Sequence, residues 1–122
     1  MNPFFRYLRF VPVAMVMGII FLLSHQSGTD LRLPPVPGID KVVHGVAYAV
    51  LAGAFLFAFQ PDMRRQKAQV VAITVILSCL LFGISDEFHQ SYIPGRISST
   101  GDVVADTIGA MLLVYLWFRF SS

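Results

Sequence analysis

The chain has 122 residues, enough for one compact domain, and its 56% hydrophobic and 13% charged composition argues against an ordinary soluble one. Soluble domains run to roughly 45–50% apolar residues with glycine counted and about 25% charged. A net charge of +2 is too small to imply nucleic-acid binding, and one cysteine, Cys79, rules out an internal disulfide or a thiolate metal cluster.

Arg6 and Arg9 precede an apolar run from Phe10 to Leu23, a pattern shared with signal peptides. The following Ser24-His25-Gln26-Ser27 lacks an A-x-A-type cleavage site, and three more apolar segments come after it. The first segment is therefore expected to be a retained helix over about 10–26. Pro34-Pro35-Val36-Pro37-Gly38 predicts a stiff, extended connection. The second helix is expected over about 40–59, ended by Gln60-Pro61-Asp62 because proline cannot continue it. A short basic loop leads to the third, about 67–88. The Ile93–Gly101 link is rich in turn and N-cap residues, and the fourth helix is expected over about 102–118. Each run approaches the ~20 residues that span lipid, with a usual range of 17–25. None alternates as barrel strands do. The expected fold is all-α: an integral membrane bundle of four transmembrane helices, one domain over 1–122, with the lipid bilayer as its surroundings.

Lysine and arginine set the expected orientation. One side carries Arg6, Arg9, Arg64, Arg65, Lys67 and Arg119; the other carries Arg32, Lys41 and Arg96. The richer side is expected to be cytoplasmic, with both termini. The acidic residues Asp30, Asp40, Asp86, Glu87, Asp102 and Asp106 then lie outside, and Asp62 lies inside.

Three helix ends bring ionisable groups to one depth. Asp40, His44 and Tyr48 share a face at i, i+4, i+8; Asp86 and Gln90 share one at i, i+4; so do Asp102 and Asp106. Glu87 points about 100° from Asp86. Capping alone would use Asp40 and Asp102, but it gives no role to His44 or Tyr48. Acid–base work is open to His44 with Asp40 or Asp86 orienting it. Phosphate recognition is open to Arg96 and Lys41. A divalent metal is open to His44 with Asp86, Asp102 or Asp106, although no metal-specific spacing such as H-E-x-x-H occurs. His25 and His89 are expected to be interfacial side chains.

Asp40-Lys41-x-x-His44-x-x-x-Tyr48-x-x-Leu51, then Asp86-Glu87-x-x-Gln90-x-x-x-Pro94-Gly95-Arg96 followed by Asp102, resemble the signature segments of the VanZ-like family. Ser24-His25-Gln26-Ser27 resembles that family's exit from its first helix, and Gly109 matches a frequent glycine on its last. Asp106 departs from the pattern, standing where many relatives carry asparagine. The resemblance covers most of the chain. It implies a small multi-helix membrane protein of the bacterial cell envelope, with a link to resistance to the glycopeptide teicoplanin.

The expected function joins these readings: binding of, or action on, a phosphate-bearing lipid or lipid-linked envelope precursor at the outer leaflet. The candidate catalytic residues are His44, Asp86, Glu87 and Asp102; the candidate binding residues are Lys41, Arg96, Gln90 and Tyr48. Enzymatic activity and a resident cofactor are left open, a divalent metal being the cofactor class that the residues suit. The alternatives are a non-enzymatic accessory subunit and a proton-linked carrier.

Overall fold

The computed structural model describes residues 2–25, 36–62, 67–95 and 99–121. The expected end of the first helix at Gln26, most of the proline-rich connection, the Arg64-Arg65 pair and Arg96 lie outside them. The described residues form helices and turns, with no strand among them.

The first apolar segment is a helix, α2 (Val11–His25), and a short helix that the sequence reading did not include, α1 (Pro3–Leu8), precedes it. Asn2 caps α1, its Oδ1 accepting from Phe4 N at 2.9 Å, and Pro3 sits where a missing N–H costs nothing. The break follows from Pro12, which has no N–H for the Leu8 carbonyl. Arg9 lies at the break. Its guanidinium donates to Phe57 O at 2.8 and 3.1 Å and to Gln60 Oε1 at 2.9 Å, and it covers the Phe57 ring. The Phe57 carbonyl, which also accepts from Gln60 N, lies in the last turn of α3 (Ile39–Phe59). The Arg9 bonds tie the start of α2 to the end of α3, so the two run antiparallel.

Gly38, at φ 79°, turns the chain into α3, and a 3-10 turn over Gln60–Asp62 ends it. Helix α4 (Ala68–Gln90) follows, reaching two residues beyond the expected Phe88, and α5 (Thr100–Phe120) completes the bundle. Ser99 caps α5, its Oγ accepting from Asp102 N at 3.2 Å. On α4, Thr74 and Ser78 return their hydroxyls to the carbonyls four residues back, at 2.7 Å each, which satisfies them without water.

The closest helix pair is α3 with α5. They run parallel, and the reason is small residues. Gly101, Ala105 and Gly109 form a four-residue repeat on α5, facing Lys41, Gly45 and their neighbours on α3. A β-carbon on Gly109 would lie 2.0 Å from the Gly45 carbonyl oxygen, so the two backbones touch. The core beneath is apolar: Leu51, Ala52, Leu56, Val75, Cys79, Ala110 and Val114 are buried. The outward surface is apolar too. Val46, Ile73, Leu77, Leu81, Ile108 and Leu112 are exposed along their helices. Four helical segments, Pro3–His25, Ile39–Phe59, Ala68–Gln90 and Thr100–Phe120, are long and apolar enough to cross a membrane. A surface of this kind is stable against lipid rather than water. The chain is a multi-pass membrane protein.

Candidate functional site

The starts of α3 and α5 and the end of α4 meet at one end of the bundle and carry the polar cluster there. The α3–α5 glycine contact sets the register, bringing Lys41 and His44 alongside Asp102 and Asp106. His44 Nδ1 donates to Asp106 Oδ1 at 2.8 Å. A carboxylate can only accept, so the proton is on Nδ1 and the ring's other nitrogen, Nε2, is turned to Asp102, 3.8 Å from its Oδ2. Lys41 Nζ takes the other oxygen of Asp102 and also bonds Asp40 at 3.1 Å. Glu87 enters from α4, its Oε2 accepting from Ser99 N at 2.9 Å. That bond ties the end of α4 to the cap of α5. His44, Glu87 and Asp102 each place one ligand-type atom within 4.8 Å of the others, so these three could hold a cation.

Burial grades down the α3 face. Asp40 and Lys41 have half-exposed side chains, the His44 side chain is 16% exposed, and Tyr48 is buried. Tyr48 Oη and Asp106 Oδ2 have no hydrogen-bond partner among the described residues. Both side chains press on Gly83 of α4: a β-carbon there would lie 3.1 Å from Asp106 Oδ2 and 3.5 Å from the Tyr48 ring. Three helices thus converge on a glycine beneath the cluster.

The 100° between Asp86 and Glu87 separates their surroundings. Glu87 faces α3 and α5. Asp86 accepts from Gln90 Nε2 at 3.3 Å, and Gln90 also donates to Ser24 of α2 at 3.1 Å. Asp86, Gln90 and Ser24, all buried, therefore form a second polar group that ties α4 to α2. His25 and His89 form a third at the same end, sharing a hydrogen bond of 3.2 Å and stacking with Phe21. Of the candidates read from sequence, His44, Glu87, Asp102 and Lys41 come together, Tyr48 lies below them, and Asp86 and Gln90 stand to one side. Asp106, read from sequence only as a possible metal ligand, holds His44 directly, where Asp40 or Asp86 was expected to orient it. Its signal was the i, i+4 spacing from Asp102. Ser99 is a further residue that the sequence reading passed over.

Beside the cluster, a groove of about 520 Å³ runs along the outside of α3 and α5. Val42, Val46, Ala49, Ile108, Leu112 and Leu116 wall it, Gly45 and Gly109 lie within it, and Lys41 stands at its polar end.

No solved structure matches the chain. An uncharacterised protein of Schizosaccharomyces pombe is 29% identical over 104 residues, 85% of this chain and 61% of that protein. The chain therefore spans less than two thirds of this curated relative. The family model described as VanZ/LLP1 matches residues 4–121, nearly the whole length, and the chain belongs to that family.

Proposed function

We propose that the protein binds a phosphate-bearing lipid, its tail in the α3–α5 groove and its headgroup at the His44 end, in the outer leaflet. The groove carries this reading: an apolar channel on the outer surface of α3 and α5 with the Lys41 cation among its lining residues. Its volume falls within the ~300–1,000 Å³ of ligand sites, and its make-up, apolar walls with a few polar groups at one end, suits an amphiphile. Lys41 and Arg96 supply the positive charge, and His44, oriented by Asp106, supplies an imidazole beside the phosphate. Orientation follows the lysine and arginine bias, with both termini cytoplasmic. The relative in a yeast favours a lipid shared between bacteria and eukaryotes over a precursor confined to the bacterial wall.

One observation favours an accessory subunit instead. Lys41 with Asp40 and Asp102, and His44 with Asp106, are paired among themselves, as groups that only pin a bundle would be. A carrier is disfavoured, because the described buried core below Tyr48 is apolar: Leu51, Leu56, Val71 and Val75.

Native mass spectrometry of the purified protein tests the lipid reading. Wild-type protein is expected to retain a phosphate-bearing lipid, and Ala49→Leu, which fills the groove, to lose it. The exposed-face control Leu81→Phe should retain it. Retention of apolar or zwitterionic detergent alone, equal in all three proteins, would count against the reading. A lipid-linked precursor and a glycerophospholipid differ in mass, so the same spectra separate them.

A further inference from the structure

The charge balance of the cluster opposes the phosphate that the proposed function brings to it. Among the described residues, Asp40, Asp86, Glu87, Asp102 and Asp106 stand at this end with Lys41, five carboxylates to one lysine. Lys41 is already shared between two of the carboxylates. An anionic headgroup would meet net negative charge unless a further cation lay between.

The geometry points to a divalent-cation centre formed by His44 Nε2, Asp102 and Glu87, with Asp106 as the outer partner that orients the histidine. Two independent observations support it. The first is the histidine. Its Nδ1 proton is committed to a buried carboxylate, and its Nε2 faces Asp102 Oδ2 at 3.8 Å. That separation is too long for a hydrogen bond and natural for two ligands of one ion. A carboxylate behind a ligating histidine is the usual support for a metal-bound imidazole. The second is Asp106 itself. It has no solvent exposure, accepts from His44 through one oxygen, and carries a second oxygen without a partner among the described residues. A buried carboxylate so thinly satisfied is costly unless positive charge lies close by.

First-row ions hold nitrogen and oxygen ligands at about 2.0–2.2 Å, so two ligands of one ion lie at most ~4.4 Å apart. The 4.8 Å spread of the three atoms closes by small side-chain shifts. One imidazole with two carboxylates and no thiolate suits Mn²⁺ or Zn²⁺ better than Mg²⁺ or Ca²⁺, which prefer oxygen alone. Such an ion would bridge protein carboxylates to a lipid phosphate. The inference rests on the proposed function for that last role only.

The test uses the full chain in nanodiscs of phosphatidylcholine, with Mn²⁺ binding followed by electron paramagnetic resonance and Zn²⁺ by displacement. Wild-type protein is expected to bind one ion, with Zn²⁺ displacing Mn²⁺. His44→Gln and Asp102→Asn should abolish stoichiometric binding. Asp106→Asn, which keeps an acceptor for Nδ1, should weaken it by about 10–100-fold. Asp40→Asn, outside the three ligands, should bind as wild type does. Helicity by circular dichroism identifies any variant that has not folded, and Asp106→Asn is the milder change if Asp102→Asn fails. Absence of stoichiometric binding in wild-type protein, or unchanged binding in folded His44→Gln, overturns the centre. Ion binding without retained lipid would support the centre and defeat the lipid reading; lipid retention without ion binding would do the reverse.

Discussion

Asp106 is the residue on which the arrangement of the others turns. It is fully buried and fixes the His44 ring. Asp106→Asn keeps a carbonyl acceptor for Nδ1, so its cost is expected to stay near 1 kcal/mol; Asp106→Val strands the imidazole N–H and should cost about 3 kcal/mol or more. Reversible unfolding in mixed micelles measures both, and equal losses would show that the hydrogen bond is not what Asp106 contributes. At this scale the sequence was only partly legible. Periodicity put Asp40, His44 and Tyr48 on one face, and the 100° step between Asp86 and Glu87 implied different neighbours. Which of the two meets His44 depends on how α4 is rotated against α3 and α5, and no spacing within one helix reports that. Glu87 takes the place beside His44, and Asp86 turns with Gln90 toward Ser24.

Between elements, the α3–α5 contact positions the site, and Gly109 permits it. A β-carbon there would overlap the Gly45 carbonyl, which cannot yield without parting the helices. Gly109→Ala is expected to cost at least about 2 kcal/mol and to disturb the cluster as well. Gly18→Ala meets nothing within 4 Å on α2, and should be neutral or stabilising by up to ~1 kcal/mol. The same unfolding measurement compares the two, and a Gly109→Ala protein as stable as Gly18→Ala would remove the close contact. The helices themselves were legible because long apolar runs leave few alternatives in lipid. The short helix α1 was less so. Arg6 and Arg9 left Pro3–Leu8 outside the expected helix, and only the missing N–H of Pro12 marks where that preceding helix must end. The Gly109 contact could not be read, because a glycine in a spanning helix is common and its partner is set by packing.

Across the whole molecule, orientation and the lipid claim stand together, since the cluster must face the leaflet that holds the headgroup. Reporters fused after Ser122 and inserted near Met63 are both expected to report the cytoplasm; an external signal from the Met63 insertion would move the cluster to the inner leaflet. Arg96→Lys should lose lipid retention if the guanidinium grips phosphate through two parallel bonds, which an ammonium cannot copy. Unchanged retention in a folded Arg96→Lys protein would reduce that residue to a general positive charge. The most direct measurement of the central claim is photo-crosslinking in native membranes from a benzophenone side chain placed at Val46, inside the groove, with one at Leu77 on α4 as reference. The lipid account predicts an adduct at position 46 with the mass of one phosphate-bearing lipid class, enriched over the mixture captured at position 77. The same lipid mixture at both positions, or a protein adduct at position 46, would contradict it, and the protein adduct would favour the accessory subunit.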